Sequence, residues 1–562
     1  MKRHVSRTVL ILALAVLSAC MYARKNTTST TTSSPAPAAP RPEPQAIAPT
    51  QPPPESSVGA PRAKAALAAP MELRSLAYLS SRGDEEFVTE AYDRIHDNVF
   101  LAAATNPLST FSIDVDTASY ANVRRFLAGG RLPPKDAVRT EELLNYFRYD
   151  YPEPIGDKPF SVTTEQGSCP WRAEHRLVRI GLRGRSIDQE SVPPRNLVFL
   201  LDVSGSMMPA NKLPLLKAAM GLLVEQLRPQ DRVGIVVYAG AAGLVLHSTP
   251  GSAKDTVREA LNALEAGGTT AGGAGIQLAY QIAGEAFIDG GINRVILATD
   301  GDFNVGITSQ GDLLRLIEEK RETGVFLSVL GFGEGNLKDS TMEKLADAGN
   351  GNYSYIDTLA EARKVLVAEA GATLVTLGKD VKIQVEWNPA RVEGYRLIGF
   401  ENRLLKAEDF NDDSKDAGEI GAGHTVTALY EVAPKGVALE LPGVDPLKYQ
   451  APPALNSGSD DLATVKLRYK QPDGDVSRLI SVVVKDGSPK QASADLRFAS
   501  AVVEFAMLLR GSVFRGSASY EQALELARGA LAVDPSGLRS QFVELLQSAR
   551  RLSGPPHMAQ VR

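Results

Sequence analysis

Cysteine and histidine are scarce in this chain, and their scarcity excludes several kinds of chemistry. Two cysteines, Cys20 and Cys169, occur among 562 residues, which is too few for a disulfide scaffold. We expect Cys169 to be a small buried apolar residue. Neither a Cys-x-x-Cys nor a His-Glu-x-x-His motif is present, so zinc is not expected. Six histidines occur, and the sequence places none beside Ser204 or Cys169 to form a nucleophile–base pair.

Signals for nucleotides, nucleic acids and membrane-spanning helices are missing as well. The Gly-x-x-x-x-Gly-Lys motif of nucleotide-hydrolysing loops is absent. The net charge is −5, and basic residues do not cluster with interleaved aromatics, which argues against nucleic acid as a partner. After the N-terminus, no apolar stretch is long enough to cross a bilayer as a helix. We therefore expect neither nucleic acid nor nucleotide as a partner.

The first twenty residues have the pattern of a secretion signal. Three basic side chains precede a continuously apolar run over residues 9–17, which is too short to span a bilayer but typical of a signal-peptide core. The run ends in Leu-Ser-Ala-Cys20, which resembles a bacterial lipobox. The resemblance implies that residues 1–19 are a signal peptide, removed before Cys20 is lipidated. The alternative is an ordinary secretory signal followed by a chance cysteine.

Residues 20–70 are predicted to be a disordered tether. Their Thr, Ser, Pro and Ala residues bury too little surface to offset the entropy of ordering. The tether would hold the globular part roughly 35–40 Å from a membrane anchor. Because Met21, rather than Asp, follows the cysteine, the resemblance implies a lipid-anchored protein of the cell envelope that is sorted to the outer membrane. Several acyl chains would anchor it firmly.

A chain of 562 residues is too long for one core, and its centre alternates strand and helix. Short continuous apolar runs predict buried parallel strands, and helical spacing separates them. The predicted strands are 196–202, 232–239, 294–299, 325–331 and 353–356. The predicted helices are 212–227, 256–264, 275–287, 312–323, 340–348 and 360–370. This order predicts an α/β fold with a doubly wound, mostly parallel sheet over 194–372.

Three polar segments follow strands or helices of this predicted sheet. They are Asp202-Val203-Ser204-Gly205-Ser206, Gly267-Gly268-Thr269-Thr270 and Thr299-Asp300-Gly301. The ligand sites of such sheets lie at the carboxyl ends of the strands, so all three segments should lie on one edge. Each segment alone is weak evidence for a ligand site, since Asp-x-Ser-x-Ser often caps a helix and Gly-Gly-Thr is usually a loop.

Together the three segments resemble the von Willebrand factor type A (VWA) family and its metal-ion-dependent adhesion site. The resemblance covers about 194–370. It implies that hydroxyl oxygens bind the metal and that carboxylates balance its charge, often through water. The implied ligands are Asp202, Ser204, Ser206, Thr269 and Asp300. Thr270 is an alternative to Thr269, which we prefer because it directly follows the glycine pair. Asp302 is an alternative acidic neighbour of the site, but a solvated loop residue is the preferred interpretation.

Oxygen ligands of this kind fit Mg²⁺, with Mn²⁺ or Ca²⁺ as alternatives. In the family, a carboxylate of the partner protein completes the octahedron. The resemblance therefore implies protein binding rather than catalysis.

The segments on either side resemble a family of largely uncharacterised bacterial VWA lipoproteins. The strings that carry this resemblance include Phe-Ser-Ile-Asp-Val-Asp-Thr-Ala-Ser-Tyr at 111–120 and Gly-Phe-Glu-Asn-Arg at 399–403. The family has a VWA-associated N-terminal region, expected at 71–193 as an α+β segment. Its C-terminal domain, expected at 373–555, should contain an antiparallel β-sandwich and a small helical bundle. The expected strands are 381–385, 425–432, 464–468 and 479–484, and the helices 498–509, 520–531 and 538–552.

Two further acidic motifs invite a metal interpretation. Asp114-x-Asp116, with Ser119, lacks the two-serine spacing, and a strand end running into a helix cap at Asp116 or Thr117 is the preferred interpretation. Residues 409–413 resemble the start of an EF-hand loop, but neither the required Gly nor the bidentate Glu follows. We expect a solvated acidic loop there.

The sequence favours metal-dependent capture of a protein carboxylate at the cell envelope, and no enzymatic activity. A structural or assembly scaffold, in which the metal mainly stabilises the fold, is the alternative. A metal-dependent hydrolase is a third hypothesis, weakened because the sequence indicates no general base or oxyanion-stabilising set around the site.

Overall fold

The computed structural model describes residues 89–268, 272–301, 310–370, 374–439, 458–472, 474–487, 491–532 and 534–554. The predicted signal peptide, Cys20 and tether lie outside the described residues, as do Thr269, Thr270 and Asp302. In the part of the chain that the structure describes, we find no helix with the length and apolarity needed to cross a membrane.

Seventeen strands form in the described residues. They are β1 (Leu101–Ala102), β2 (Leu108–Ser112), β3 (Phe160–Ser168), β4 (Arg176–Gly184), β5 (Arg195–Asp202), β6 (Arg232–Tyr238), β7 (Ala242–Pro250), β8 (Ile292–Thr299), β9 (Val325–Phe332), β10 (Tyr353–Ile356), β11 (Thr376–Trp387), β12 (Val392–Ile398), β13 (Leu404–Leu405), β14 (Gly418–Gly421), β15 (Thr425–Pro434), β16 (Asp461–Lys470) and β17 (Arg478–Lys485).

Eleven α-helices accompany them in the same residues. They are α1 (Ala118–Ala128), α2 (Thr140–Asn145), α3 (Leu213–Glu225), α4 (Lys254–Asn262), α5 (Gly272–Glu285), α6 (Gln310–Arg321), α7 (Asp339–Ala348), α8 (Leu359–Arg363), α9 (Ala494–Arg510), α10 (Tyr520–Arg528) and α11 (Leu538–Leu552). A π-helical turn, Lys364–Ala368, continues α8.

The central sheet confirms the predicted α/β fold. Its strand order is β10-β9-β8-β5-β6-β7, and every neighbouring pair is parallel except β6 with β7. The side chains of β5 alternate between two cores: Leu197, Phe199 and Leu201 face one, and Val198 and Leu200 face the other. Helices on both faces bury this strand completely. The chain passes from β5 to β6 on one side and returns to β8 on the other, so the strand order switches at β5.

Two antiparallel sheets form the predicted β-sandwich. Their orders are β1-β12-β15-β4-β3 and β13-β2-β11-β16-β17, with β14 also paired to β11. Strands from before and after the central sheet are hydrogen-bonded neighbours: β2 pairs with β11 and β4 with β15. The segments that the sequence indicates as separate regions, 71–193 and 373–555, therefore contribute strands to both sheets of one sandwich.

The last three helices form the predicted small bundle. Phe498 on α9 and Phe542 on α11 make edge-to-face contacts with each other and with Phe147, which follows α2. The apolar stripe of these helices is internal core, as expected. Cys169 is a free thiol, 2% exposed, within the same core.

A short segment at the start of the described residues lies against the central domain. Residues 89–92, which we call the strap, run beside residues 333–338, the β9–α7 loop. The strap donates backbone N–H groups to the oxygens of Gly335 (2.7 Å) and Leu337 (2.9 Å). In return, the amide of Gly335 donates to Oε1 of Glu90 at 2.9 Å, and Arg125 binds both oxygens of Glu90.

Candidate metal centre

The Asp202 carboxylate lies at the carboxyl end of β5, where the strand order switches. Asp202 is fully buried. Its Oδ1 accepts the backbone N–H of Ser204 at 2.9 Å, and its Oδ2 accepts the hydroxyls of Thr299 (2.9 Å) and Tyr238 (3.2 Å). Three neighbouring strands thus fix one carboxylate, since Thr299 ends β8 and Tyr238 ends β6.

The two serines lie in the tight turn that follows. Ser204 precedes a 3₁₀ turn, Gly205–Met207, and the amide of Met207 donates to the Ser204 carbonyl at 3.0 Å. The turn brings the hydroxyl oxygens of Ser204 and Ser206 to 3.0 Å from each other. Ser204 is 2% exposed, so the pair forms two adjacent neutral oxygen ligands at the edge of the sheet.

The glycine-rich segment is attached directly to the serine turn. The amide of Gly267 donates to the Val203 carbonyl at 2.8 Å, and the amide of Gly205 donates to the Gly268 carbonyl at 3.1 Å. Gly268 has a φ of +81°, a left-handed conformation that favours glycine. Thr269 is the next residue along the chain and lies outside the described residues. The structure therefore brings its neighbour, Gly268, to the serine turn.

Asp300, the first residue after β8, is the second buried carboxylate of this edge. Its Oδ2 accepts hydrogen bonds from Nζ of Lys212 at 3.1 Å and from Nδ2 of Asn336 at 2.9 Å. Lys212 also donates to Oδ1 of Asn336 at 2.7 Å. Neither residue was predicted from the sequence, although Asn336 lies in the loop after β9, the strand next to β8.

The electrostatics of this edge favour a bound cation. Burial raises the pKa of the Asp202 carboxyl, and the nearby charge of Asp300 raises it further, although hydrogen bonds from Ser204 and Thr299 oppose the shift. A positive ion between the two carboxylates would relieve both effects. Two carboxylates and two hydroxyls are hard oxygen donors of the kind that Mg²⁺ takes. The residues present therefore fit a divalent metal.

The carboxylates of the two other acidic motifs, at 114–116 and 409–413, make hydrogen bonds within the protein. Thr117 is the N-cap residue of α1, one of the two positions predicted, although its side chain makes no capping hydrogen bond. The Asp114 carboxylate instead accepts the amide of Asp116, and that of Asp116 accepts the amide of Tyr353. In the 409–413 loop, Asp413 bonds to Arg468 and Ser477, which makes it a structural loop residue.

Three family models match the chain. The von Willebrand factor type A domain matches residues 196–367, a von Willebrand factor model matches 86–179, and a model described as the C-terminal part of uncharacterized protein YfbK matches 372–552. The sheet and its polar edge, with this match, define a VWA-domain protein. VWA domains commonly bind a divalent metal and mediate protein–protein interactions.

"Uncharacterized protein YfbK" of Escherichia coli (strain K12) is 45% identical over 473 residues, which cover 82% of this chain and 81% of the relative. This chain therefore belongs to the bacterial VWA family that includes YfbK. "Uncharacterized protein sll0103" of Synechocystis is 28% identical over 187 residues, 33% of this chain and 43% of the relative.

Solved structures with similar folds include a von Willebrand factor type A protein from Catenulispora acidiphila and the ArnB paralog VWA2 from Sulfolobus acidocaldarius. The first is 17% identical with a TM-score of 0.39, covering 69% of this chain and 89% of that one. The second is 19% identical with a TM-score of 0.34, covering 70% and 98%.

Proposed function

We propose that this protein is a lipoprotein of the cell envelope that binds a partner protein through a divalent metal ion in its VWA domain. One observation carries the proposal. Two buried carboxylates, Asp202 and Asp300, and the adjacent hydroxyls of Ser204 and Ser206 lie at one edge of the sheet, at the switch in strand order. Thr269 is proposed as the fifth ligand.

The proposed ligands suit capture of an acid group. Hydroxyl ligands carry no charge, so the ion, when bound, would keep enough positive charge to accept a carboxylate oxygen from the partner. Thr299 and Tyr238 hold Asp202 in place, and Lys212 and Asn336 hold Asp300. Those four side chains position the carboxylates before any partner arrives.

The surroundings favour binding over catalysis. The groups that hold the two carboxylates are a threonine, a tyrosine, a lysine and an amide. Burial raises the pKa of Tyr238 well above its ordinary value, so its hydroxyl is a poor general base at neutral pH. We infer that the protein is not an enzyme.

An apolar groove next to the site would contact the residues flanking the partner's carboxylate. It has a volume of about 620 Å³ and lies between α3 and α4. Met208, Leu213, Leu261 and Ala266 are among the residues that line it. Met208 is 68% exposed, an unusual position for a large apolar side chain two residues from Ser206.

The proposal is tested by titrating the purified chain with Mg²⁺ in a calorimeter and then capturing partners from envelope extract with and without a chelator. We expect one bound ion, and capture that the chelator abolishes. The double variant Ser204→Ala, Ser206→Ala should lose both ion and capture, while Ser252→Ala, at an exposed serine of the same domain, should keep them. Unchanged capture by the double variant would overturn the proposal.

The melting temperature of the double variant separates partner binding from the scaffold alternative. If the metal mainly stabilises the fold, the variant should melt at lower temperature and lose structure. If the metal serves capture, the variant should lose its partner in Mg²⁺-containing buffer with its melting temperature unchanged.

Anchoring through Cys20 is a separate part of the proposal, supported by the lipobox resemblance. Metabolic labelling with palmitate should mark the wild-type chain and fail to mark a Cys20→Ser variant. Fractionation should find the labelled chain with the outer membrane. A soluble, unlabelled wild-type chain would contradict the anchor and leave the metal site untouched.

A further inference from the structure

A second group of acidic side chains lies where the sandwich meets the central domain. We call it the junction cluster. It contains six carboxylates and two guanidinium groups: Asp114, Asp116, Glu142, Asp339, Glu343, Asp347, Arg139 and Arg403. The first three carboxylates belong to the segment before the central sheet, and the other three belong to α7.

Three carboxylates of this cluster converge on one point. One oxygen each of Asp114, Glu142 and Glu343 lie within 4.8 Å of one another, and all three residues are buried. Ca²⁺ binds oxygens at about 2.3–2.6 Å, so oxygens on opposite sides of one ion are roughly 5 Å apart. The three oxygens are therefore close enough to share an ion.

A fourth carboxylate oxygen of the junction cluster has no hydrogen-bond partner among the described residues. Asp116 is 3% exposed, and among the described residues its Oδ2 accepts no hydrogen bond. The nearest cation is Nη2 of Arg403 at 3.5 Å, and this same nitrogen lies 3.4 Å from Oε1 of Glu343. Asp116 therefore places in the cluster a buried carboxylate oxygen that accepts no hydrogen bond among the described residues and has only the 3.5 Å ion pair with Arg403 to offset its charge.

The two arginines do not balance the charge. Arg139 bridges Glu142 and Asp339, and Arg403 binds Asp114 and Asp347. Two positive groups thus face six acids.

We propose that the junction cluster binds a divalent cation through Asp114, Glu142 and Glu343, with Oδ2 of Asp116 as a fourth ligand. Ca²⁺ is the ion that fits best, because it accepts mono- or bidentate carboxylates in irregular geometry, whereas Mg²⁺ keeps several waters. Since Glu343 lies on α7 and Asp114 follows β2, the ion would join the VWA domain to the sandwich.

Calcium binding to the full chain tests this proposal in a Ser204→Ala, Ser206→Ala background, which removes the proposed adhesion site. Radioactive Ca²⁺ and equilibrium dialysis give the stoichiometry. We expect one ion per chain in this background. Adding Asp116→Asn or Glu343→Gln should weaken binding at least about tenfold, since each removes a charged ligand.

The matched control is Glu504→Gln, which neutralises another buried glutamate, in the helical bundle. It should leave calcium binding unchanged. No bound Ca²⁺ at millimolar concentration in the serine background, or unchanged binding after Asp116→Asn and Glu343→Gln, would overturn the proposal. Both outcomes are independent of whether the adhesion site binds Mg²⁺.

Crystals of the unmutated chain grown with Ca²⁺ decide the question if the variants fail to fold. An anomalous difference peak between the carboxylates of Asp114, Glu142 and Glu343 would support the site. Diffraction data that show no such peak, with the carboxylates ordered, would overturn it.

Discussion

Glu504 is a buried carboxylate that lacks a compensating partner among the described residues. It lies on α9 with no exposed surface, and neither carboxylate oxygen has a hydrogen bond. Burial raises its pKa from 4.5 to about 8. Between these two values the folded chain keeps a proton that the unfolded chain loses. The contribution of Glu504 to the free energy of unfolding is therefore most favourable below the unfolded pKa. It falls as the pH rises toward the folded pKa, by at most about 1.4 kcal/mol per pH unit.

Glu504→Gln should remove this pH dependence, because the amide stays neutral. We expect the free energy of unfolding of the variant to exceed that of the wild type by several kcal/mol at pH 8, on the order of the integrated slope, and to match it near pH 4.5. Urea unfolding at four or five pH values measures the difference. A difference that does not grow with pH would mean that Glu504 titrates near its ordinary value when folded.

Lys212 places a positive charge against a proposed metal ligand. Its ammonium lies 3.1 Å from Oδ2 of Asp300, and its side chain is almost fully buried. A divalent ion at Asp300 would be repelled by this charge in a region of low dielectric constant. Lys212→Met keeps the apolar stem and removes the charge, so Mg²⁺ should bind at least about threefold more tightly.

Calorimetric titration of the Lys212→Met variant with Mg²⁺ measures that change. Lys217→Met is the control, because Lys217 lies on α3 and donates only to the backbone oxygens of Asn262 and Leu264 in the described contacts. Equal or weaker Mg²⁺ binding by the Lys212 variant would show that the lysine supports the site by holding Asn336.

At the scale of elements, the strap and the β9–α7 loop connect the start of the described chain to the candidate metal centre. Backbone groups of Gly335 and Leu337 bond to the strap, and the side chain of Asn336, between them, bonds to Asp300. Burial disfavours the ionised form of Glu90, but Arg125 and the amide of Gly335 outweigh it and lower its pKa. Glu90 is thus a charged clamp on this loop.

Glu90→Ala should loosen the loop without unfolding the domain. The substitution removes the acceptor of the Gly335 amide and leaves Arg125 with less compensation, a loss of about 2–4 kcal/mol. Hydrogen exchange followed by mass spectrometry should show faster exchange over residues 333–338. Arg94→Ala, at an exposed residue just beyond the strap, should exchange like the wild type. Unchanged exchange in the Glu90 variant would rule out the clamp.

The sequence predicted the elements of the central domain better than the contacts between its loops. Continuous apolar runs identify β5 and β8, and the residues that end them, Asp202 and Asp300, could be located from those runs. Strand β7 was not predicted, because its partly exposed residues show neither a continuous apolar run nor a clear alternation of apolar and polar residues. Lys212 and Asn336 could not be predicted as residues of the site. The hydrogen bond between them joins residues 124 positions apart in the sequence, and local sequence patterns do not predict such a contact.

At the scale of the whole molecule, the VWA domain is an insertion in a sandwich built from the segments before and after it. Alternating apolar residues predicted β11, β15, β16 and β17. They did not predict the pairing of β2 with β11, which links residues more than 250 positions apart. Phe111 lies opposite Ile383 in that pairing, and its ring packs against Phe400 at 5.0 Å and Tyr430 at 6.3 Å between centroids. Periodicity indicates which face is buried, not which strand lies alongside.

Phe111→Ala should therefore destabilise the C-terminal half of the sandwich. Phe111 is fully buried, and removing a buried phenylalanine costs about 3–5 kcal/mol. The chain has two tryptophans, and Trp387 lies in the same core, so a Trp171→Phe background leaves one fluorescent reporter there. The denaturation midpoint reported by Trp387 fluorescence should fall markedly with Phe111→Ala. It should stay unchanged with Phe287→Ala, because Phe287 is 44% exposed. An unchanged Trp387 transition would mean that the strands before and after the central sheet unfold independently, contrary to the cooperative unfolding that the hydrogen bonds between β2 and β11 lead us to expect.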